Sequence, residues 1–408
     1  MLNPTSNCWR IEQADRLAFL IDADDYFRVL RQAMLQAHHS IYILSWDINS
    51  QLRLRGNDDD SFPERLGDFL NALAKEKPDL NIYILNWDFA MIFAPAREFL
   101  PIYKMDWKTH HRVHFCLDDQ HPEGASQHQK IVVIDDSLAF NGGLDLTLGR
   151  WDTSDHQADN PDRDRLDSKI CNPYHDIQIM VSGAAAGALA DLARSRWHNA
   201  TGKKLAEMDS TPEPLWPEQV PIDIERARVG IARTQGAFKK LEEIREIQQH
   251  YCDAIATAER SIYIENQYLT APAIENALRQ SLEREEGPEI ILVLPRETDG
   301  WLSQYTMDVL RIRLIRKLQE TDHQQRLRVL YPDGPDLANK PINVHAKVMV
   351  VDDKIAVVGS ANLNNRSMGL DSECNLIVEG DSAESKRGIA SFRNRLMAEH
   401  MGSTEEKV

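Results

Sequence analysis

Apolar positions along the chain change period repeatedly, and the changes come in the same order twice. "AMLQAHHSIYILSWDI" (Ala33 to Ile48) begins with helical spacing and then runs into a continuous β-branched and aromatic stretch. "AIATAERSIYIENQYL" (Ala254 to Leu269) does the same. Each predicts an amphipathic helix followed by a buried strand. A second strand is predicted downstream in each case, over "LNIYILNWDF" (Leu80 to Phe89) and "PEIILVLPRE" (Pro288 to Glu297). Helical patterns accompany them near Phe62 to Lys75 and Ala273 to Arg284. Strand, helix, strand, helix is the signature of an α/β fold, here with a mixed and largely parallel sheet flanked by helices.

The strongest repeat is "HQKIVVIDDSLAFNGGLDL" (His128 to Leu146) against "HAKVMVVDDKIAVVGSANL" (His345 to Leu363), identical at eight of nineteen positions without a gap. His128 to His345 is 217 residues, and Ser40 to Ser261 in the helix–strand pair is 221. Near-equal offsets mean that an ordered set of elements is duplicated, not one motif. We expect residues 1–200 to form an N-terminal half, 201–225 a linker and 226–408 a C-terminal half. The linker carries the Pro- and acid-rich "DSTPEPLWPEQVP". A polar stretch from Arg150 to Tyr174 is too long for a routine connection.

In "HQKIVVID" strand alternation puts His128 and Lys130 on one face, with Asp135, an odd seven positions on, facing away. His345, Lys347 and Asp352 repeat the parity. Asp135 and Asp352 are therefore expected to hold the turn that follows, "DDS" or "DDK", or the base of its hairpin. A lone His-x-Lys would be an ordinary solvated edge. Two copies at equivalent places in a duplicated architecture point to function.

These residues resemble the phospholipase D superfamily, with its paired His-x-Lys-x4-Asp motifs. The resemblance runs from about Cys8 to about Met397. "IYIENQYL", "GGLDLTLGRWD" and "GSANLNNRSMGLDSECNL" are similar to phospholipid-cleaving members, here of a bacterial kind resembling the eukaryotic-type enzymes. The resemblance implies two similar α/β halves whose motifs meet in one site at a pseudo-twofold interface. His128 is then the nucleophile, forming a phosphohistidine, and His345 the general acid/base. The residues alone do not rank the two. Lys130 and Lys347 would hold the phosphoryl oxygens by charge-assisted hydrogen bonds, doing the electrostatic work of a Lewis acid, so neither metal nor cofactor is expected.

Each histidine needs an acidic orienter. Glu373 lies 28 residues after His345 at the start of "ECNLIVEG"; Asp176 lies 48 after His128 at the start of "HDIQIMVSG". The difference of 20 is about the length of the Arg150 to Tyr174 insertion, so the strands align and both carboxylates become candidates. Asn362 and Asp145 are each seventeen residues past their histidine. Family members commonly use Asn here to bind phosphate; Asp145 departs from that, since a carboxylate repels phosphate unless it is paired. Gly142, Gly143 and Gly359 are expected to let the backbone approach substrate, and Ser360 to donate to phosphate. Gln127 and Asn266 are weaker candidates.

Composition narrows the partners. A net charge of -17 disfavours nucleic acid. Five scattered cysteines without a Cys-x-x-Cys pair fit a reducing compartment and give no structural zinc spacing. No run of eighteen apolar residues occurs, and no basic segment with an apolar core opens the chain. We expect a cytoplasmic protein that is peripheral at membranes, meeting phospholipid at their surface, with water or an alcohol as acceptor; oligomeric state is not readable. The resemblance implies hydrolysis of a glycerophospholipid to phosphatidic acid and a free headgroup alcohol, with transphosphatidylation. The alternatives are a cardiolipin-synthase-like phosphatidyltransferase and, less favoured, a nucleic-acid phosphodiesterase. His110, His111, His114 and His121 read as a loop and strand entry, not a metal site. "LRIRLIRK" (Leu310 to Lys317) reads as a solvated helix face. The apolar Trp87 to Trp107 stretch reads equally as core or as a lipid-facing rim.

Overall fold

The computed structural model describes residues 2–55, 60–88, 109–166, 169–207, 215–297, 307–334, 337 and 340–408. Most of the Trp87 to Trp107 stretch, including Phe93 and Phe99, lies outside them.

The first half contributes seven strands to the main sheet: β1 (Arg10–Ile21), β2 (Ser40–Ser45), β3 (Asn81–Trp87), β4 (Val113–Asp118), β5 (Ile131–Ile134), β6 (Leu138–Gly142) and β7 (Ile177–Ser182). Its helices are α1 (Asp22–Gln36), α2 (Leu66–Glu76) and α3 (Ala184–Thr201). The second half repeats the set as β8 (Ile224–Gln235), β9 (Ser261–Asn266), β10 (Glu289–Val293), β11 (Leu327–Leu330), β12 (Lys347–Val351), β13 (Ile355–Gly359) and β14 (Glu373–Glu379). Its helices are α4 (Glu246–Thr257), α5 (Pro272–Glu283), α6 (Val309–Thr321), α7 (Asn365–Gly369) and α8 (Ala383–His400). The strand order is β11-β10-β9-β12-β13-β14-β8-β1-β7-β6-β5-β2-β3-β4. Reading outward from the central β1–β8 pair gives the same sequence of elements in both directions. That is the twofold repeat expressed in hydrogen bonds.

Amphipathic spacing explains the helices. Helix α1 buries Tyr26, Phe27, Leu30, Ala33 and Met34, and carries Asp24 and Asp25 in its first turn, where the helix dipole favours acid. One apolar cluster spans both halves on the face covered by α3 and α8, where Phe19 of β1 stacks on Phe392 at 3.9 Å. On the other face, α1 and α2 cover the first half and α4, α5 and α6 the second.

The sheet is mixed, as expected, but its parallel share is smaller than the strand–helix–strand pattern suggested. Parallel pairs are confined to the outer ends, β2–β3 and β3–β4 in one half, β9–β10 and β10–β11 in the other. From β2 to β9 through the centre every pairing is antiparallel. The cause is local. The β5–β6 and β12–β13 turns place Asp135, Asp136, Asp352 and Asp353 at φ of 48°, 53°, 54° and 54°. Successive positive φ values make the tight hairpin that a right-twisted antiparallel pair needs. Asp135 accepts the backbone N–H groups of His38, His39 and Ser40 at 2.6, 2.8 and 2.7 Å. Asp352 does the same for Glu259, Arg260 and Ser261 at 2.8, 2.7 and 2.8 Å. Both sit at the hairpin base, each also clamping the start of the neighbouring strand.

Candidate active site

The two His-x-Lys segments stop being strand where their chemistry begins. β5 starts at Ile131, so His128 and Lys130 precede it, and β12 starts at Lys347, just after His345. The periodicity implied strands three and two residues longer. At these points the chain leaves its own half's ladder and pairs with the other half. The His128 N–H donates to the Ser372 carbonyl at 2.9 Å, and the His345 N–H to the His175 carbonyl at 2.8 Å. Ser372 precedes Glu373, and His175 precedes Asp176. The exchange of backbone pairing therefore delivers each half's carboxylate to the other half's histidine.

The result is two crossed dyads. Nδ1 of His128 lies 3.0 and 2.9 Å from the two Glu373 oxygens. Nδ1 of His345 lies 2.6 Å from Asp176 Oδ2. The carboxylates are fully buried, whereas the rings keep slight exposure, 14% for the His128 side chain and 10% for that of His345. Burial pushes the Glu373 carboxyl up to about 8 and Asp176 up to about 7. Burial, then the Lys130 charge, holds His128 well below the usual imidazole range; burial, then Lys347, Arg150 and Lys130, does so for His345. The residues of the two motifs thus feel one another across the interface between the halves.

The lysines are not equivalent. Lys130 Nζ donates to its own half's His128 carbonyl at 3.1 Å and pairs with Asp145 at 3.2 Å. Asp145 is further fixed by the Trp46 N–H at 2.9 Å. Its carboxylate is spent on Lys130, which resolves the difficulty of a negative group beside phosphate. Lys347 bonds the His345 carbonyl and faces His345 Nδ1 at 2.9 Å. Burial pulls it down to about 7, with Asp176 opposing the shift. The position matching Asp145 is Asn362, whose buried Oδ1 has no partner among the described residues.

Four of the site candidates have other close neighbours in the structure. The Ser360 hydroxyl donates to Glu373 Oε2 and accepts the Cys374 N–H at 3.1 Å, so it orients the carboxylate and is not free for phosphate. Gly142 and Gly359 face neighbouring strands: an added Cβ would lie 1.8 Å from Gln178 Oε1 or 2.2 Å from Asn375 Oδ1. At Gly143 the added Cβ would lie 2.1 Å from Asp176 Oδ1. Each of these glycines leaves room for a neighbouring side chain. Of the weaker candidates, Asn266 is tied up by the Leu363 and Tyr268 N–H groups, and Gln127 is buried beside Gln129.

Sequence reading missed four neighbours. Arg150 is half-buried, its guanidinium 4.9 Å above the Tyr174 ring, and Asp145, Asp47 and Asp176 favour its charge against the cost of burial. Tyr174 lies 5.3 Å from the His345 ring, and Trp46 packs edge-on to His128 at 6.2 Å. Asp371, bonded to Arg366 and the Ser126 N–H, biases His128 electrostatically. "GRWD" carried a hint of Arg150; the others have no local signature. The four-histidine cluster forms no common ligand set among the described residues. His121 instead accepts the Trp87 indole N–H at 3.0 Å. On α6 the expected solvated basic face is partly inverted. Arg311 is buried on the Pro295 carbonyl, whereas Val309, Leu310 and Ile312 are exposed. No helix among the described residues is long and apolar enough to cross a membrane.

Two imidazoles of depressed basicity, each with a buried carboxylate on Nδ1 and flanked by lysines and an arginine, can accept an anion and shuttle a proton. A family model described as "Cardiolipin synthase, PLD-like domain" matches residues 251–395. The chain is 26% identical over 482 aligned positions to phospholipase D A of Dictyostelium discoideum, covering 97% of this chain and 36% of that protein. It is 26% identical over 483 positions to phospholipase D1 of Saccharomyces cerevisiae, covering 94% and 28%. The chain thus spans about a third of the length of these curated relatives. Among solved structures, phosphatidylserine synthase from Haemophilus influenzae Rd KW20 superposes with a TM-score of 0.65 at 14% identity, covering 96% of this chain and 88% of that one. Polyphosphate kinase from Porphyromonas gingivalis gives 0.51 at 11% identity, covering 93% and 47%.

Proposed function

This chain belongs to the phospholipase D superfamily, and from that premise we propose that it cleaves glycerophospholipid phosphodiesters at a membrane surface through a covalent phosphohistidine. The observation that carries the reading is the pair of crossed dyads, His128–Glu373 and His345–Asp176, between Lys130 and Lys347.

In the empty site both rings are held neutral by burial and cations. An entering phosphodiester monoanion offsets Lys347 and Arg150 and raises the proton affinity beside it. One imidazole then carries a proton and the other keeps its lone pair. The neutral Nε2 attacks phosphorus; an N–P bond forms and the bond from phosphorus to the headgroup oxygen breaks. The protonated ring gives its proton to that oxygen, releasing the alcohol. The same ring, now neutral, takes a proton from water or an alcohol, whose oxygen displaces the histidine. Phosphatidic acid or a phosphatidyl-alcohol leaves. Glu373 and Asp176 steady the ring charges, while Lys130, Lys347, Arg150 and Asn362 face the phosphoryl oxygens. None of these steps calls on a metal.

His128 is assigned as nucleophile from the family resemblance. A second reading, a phosphatidyltransferase in which phosphatidylglycerol supplies the alcohol, is favoured by the family model over residues 251–395. The test is product analysis by mass spectrometry on mixed liposomes with and without a primary alcohol, for wild type, His128→Ala and His345→Ala. Phosphatidic acid and phosphatidyl-alcohol are expected from wild type alone. Cardiolipin from phosphatidylglycerol, with little phosphatidic acid, selects the transferase. Equal turnover by either variant refutes the assigned roles.

A further inference from the structure

Behind Asp176 lies a second buried cluster that the proposed reaction does not use. Four side chains converge there from segments far apart in sequence. Asp22 opens α1, His156 comes from the long Arg150–Tyr174 connection, His175 precedes Asp176, and Glu399 lies in the last turn of α8. One ligand atom from each lies within 4.8 Å of all the others. His175 Nδ1 is 2.7 Å from Glu399 Oε1 and 3.1 Å from Asp22 Oδ1. His156 Nε2 is 3.1 Å from Glu399 Oε1 and 3.8 Å from Asp22 Oδ2. A tetrahedral ion with bonds of about 2.0–2.1 Å spaces its donors about 3.4 Å apart, the middle of this range.

The outer nitrogens are already committed. His156 Nδ1 donates to Asp152 at 2.9 Å, and His175 Nε2 donates to Glu265 at 2.7 Å. A carboxylate on the far nitrogen is the usual support of a metal-bound histidine, fixing its tautomer and orientation. Those supports have further partners: Asp152 pairs with Arg163 at 2.8 Å, and Glu265 accepts the Tyr263 hydroxyl and faces His400 Nε2 at 2.9 Å. Two carboxylates then face two inner nitrogens, with Asp22 also accepting the Ser154 hydroxyl at 2.8 Å and the Asp176 N–H at 3.3 Å. A neutral ring would turn its lone pair on a carboxylate oxygen, which is repulsive. Either each ring carries a second proton, or one dication lies between them. The two inner contacts differ: His156 Nε2 meets Glu399 Oε1 in hydrogen-bond geometry at 3.1 Å, whereas His175 Nδ1 lies 2.7 Å from the same oxygen without it. Two of the four residues also hold left-handed backbone, Asp22 at φ 64° and His156 at φ 43°, a conformation costly for non-glycine residues.

We propose that Asp22, His156, His175 and Glu399 bind one divalent metal ion of the zinc class as a structural brace. Glu399 and Ser154 line an open cleft of about 430 Å³, which gives the ion a way in. The brace reaches the active site by two short paths. The Asp22 N–H donates to the Asp176 carbonyl at 2.9 Å, and the His175 carbonyl accepts the His345 N–H at 2.8 Å. The ion therefore holds the segment that presents Asp176 to His345, and takes no part in phosphoryl transfer. It also gives the long Arg150–Tyr174 connection a task, joining α1 of the first half to α8 of the second.

The test uses the full chain, expressed with zinc in the medium and purified without chelators or a histidine tag. Elemental analysis by plasma mass spectrometry should find close to one zinc per chain, and His156→Ala or Glu399→Gln should lose most of it. Dialysis against dipicolinate should lower Tm by several degrees, with recovery on adding Zn²⁺ but not Mg²⁺. Should both variants fail to fold, the wild-type chain decides: refilling with Co²⁺ should give the visible absorption of a tetrahedral site. Wild type holding under about 0.1 metal per chain after incubation with Zn²⁺ and desalting, or Co²⁺-treated protein without that absorption, overturns the proposal and leaves a doubly protonated ion-pair network. Full metal content in a folded His156→Ala/Glu399→Gln double variant overturns it equally. None of these readouts depends on what lipid the enzyme cleaves.

Discussion

Replacing Glu373 by Gln keeps the volume of the side chain and removes its charge, and its contacts set the size of the effect. Its two oxygens serve His128 Nδ1, at 3.0 and 2.9 Å, and the Ser360 hydroxyl. Gln offers one oxygen to these two donors, so one bond is lost and the other becomes neutral. Bonds to a charged acceptor contribute about 1.5–3 kcal/mol and neutral ones about 0.5–1.5 kcal/mol, so the ring loses about 2–4 kcal/mol of support. Most of that loss falls on the transition state. Burial holds the Glu373 carboxyl up at about 8, so in the empty enzyme near neutrality it is largely uncharged beside a neutral ring. It ionises as His128 gains positive charge. At 1.36 kcal/mol per tenfold, kcat should fall about 30- to 1,000-fold. KM should stay within about threefold, because substrate binding does not call on this contact. The assay is headgroup release from mixed liposomes across substrate concentrations, with Tm as the control for folding. A kcat loss below about fivefold, or a rise in KM at unchanged kcat, would show that Glu373 does not carry the ring charge.

Other outcomes follow from single contacts. Lys347 is pulled down to about 7, so its ammonium form is lost as pH rises through that value; kcat/KM should fall there. In kcat the same limb should move upward, since bound phosphate favours the ammonium; coincident limbs would remove Lys347 from substrate binding. Gly143→Ala places a Cβ against Asp176 and should cost more than about tenfold in kcat with Tm little changed, whereas an unchanged kcat would mean that Asp176 does not set His345. Asp352→Ala strands three backbone N–H groups and should lower stability by about 2–4 kcal/mol in urea unfolding, with activity per folded molecule retained. His250 is buried, neither ring nitrogen has a partner among the described residues, and desolvation holds it down at about 4. Because the folded value is depressed, its stability contribution is present above the unfolded value near 6.5 and is lost as pH falls toward 4. His250→Leu should remove about one proton from the pH slope of unfolding in that window; an unaltered slope would place the acid sensitivity elsewhere.

The duplicated plan was readable because duplication leaves a trace that no single motif leaves: equal spacing between unlike elements. The hairpin aspartates were readable because a turn is local, and a Asp-Asp pair bounded by β-branched residues has few other uses. The pairing of carboxylates with histidines could be narrowed to Asp176 and Glu373 by aligning the halves. That the pairs cross between halves was not legible, because it follows from Ser372 and His175 leaving their own ladders, and no periodicity records which neighbour a strand end finds. The settings of Ser360 and Asp145 were not legible for a related reason. Their residue types suit phosphate contact or repulsion, and only the partner, Glu373 in one case and Lys130 in the other, decides which. The Asp22, His156, His175 and Glu399 cluster had no chance of detection by spacing, since its members come from four separate segments and both halves.

The crossed wiring has a consequence for how a duplicated site divides its labour. Two identical halves would leave the imidazoles interchangeable, yet one must attack while the other holds a proton. The symmetry is broken at the seventeenth residue after each histidine, Asp145 against Asn362. Asp145 neutralises Lys130, and together with Asp371 it raises the proton affinity of His128 against burial and the lysines. The strongest influences on His345 beyond burial are cations alone, from Lys347, Arg150 and Lys130. The field of the empty site therefore favours a proton on His128 over one on His345, opposite to what the family resemblance assigns. In the proposed reaction substrate decides between them, because the phosphate charge cancels Lys347 and Arg150, the strongest cations on His345, and offsets Lys130 less, since Asp145 already shares its charge. His345 then gains more proton affinity on binding than His128 does. On the proposed mechanism the histidine that changes most becomes the acid and the other remains the nucleophile. On this argument Asp145→Asn frees Lys130 to compete for phosphate and should blur the distinction. Quenched turnover should then trap phosphohistidine on both His128 and His345, where wild type gives it on His128; an adduct confined to His345 in wild type would reverse the assignment.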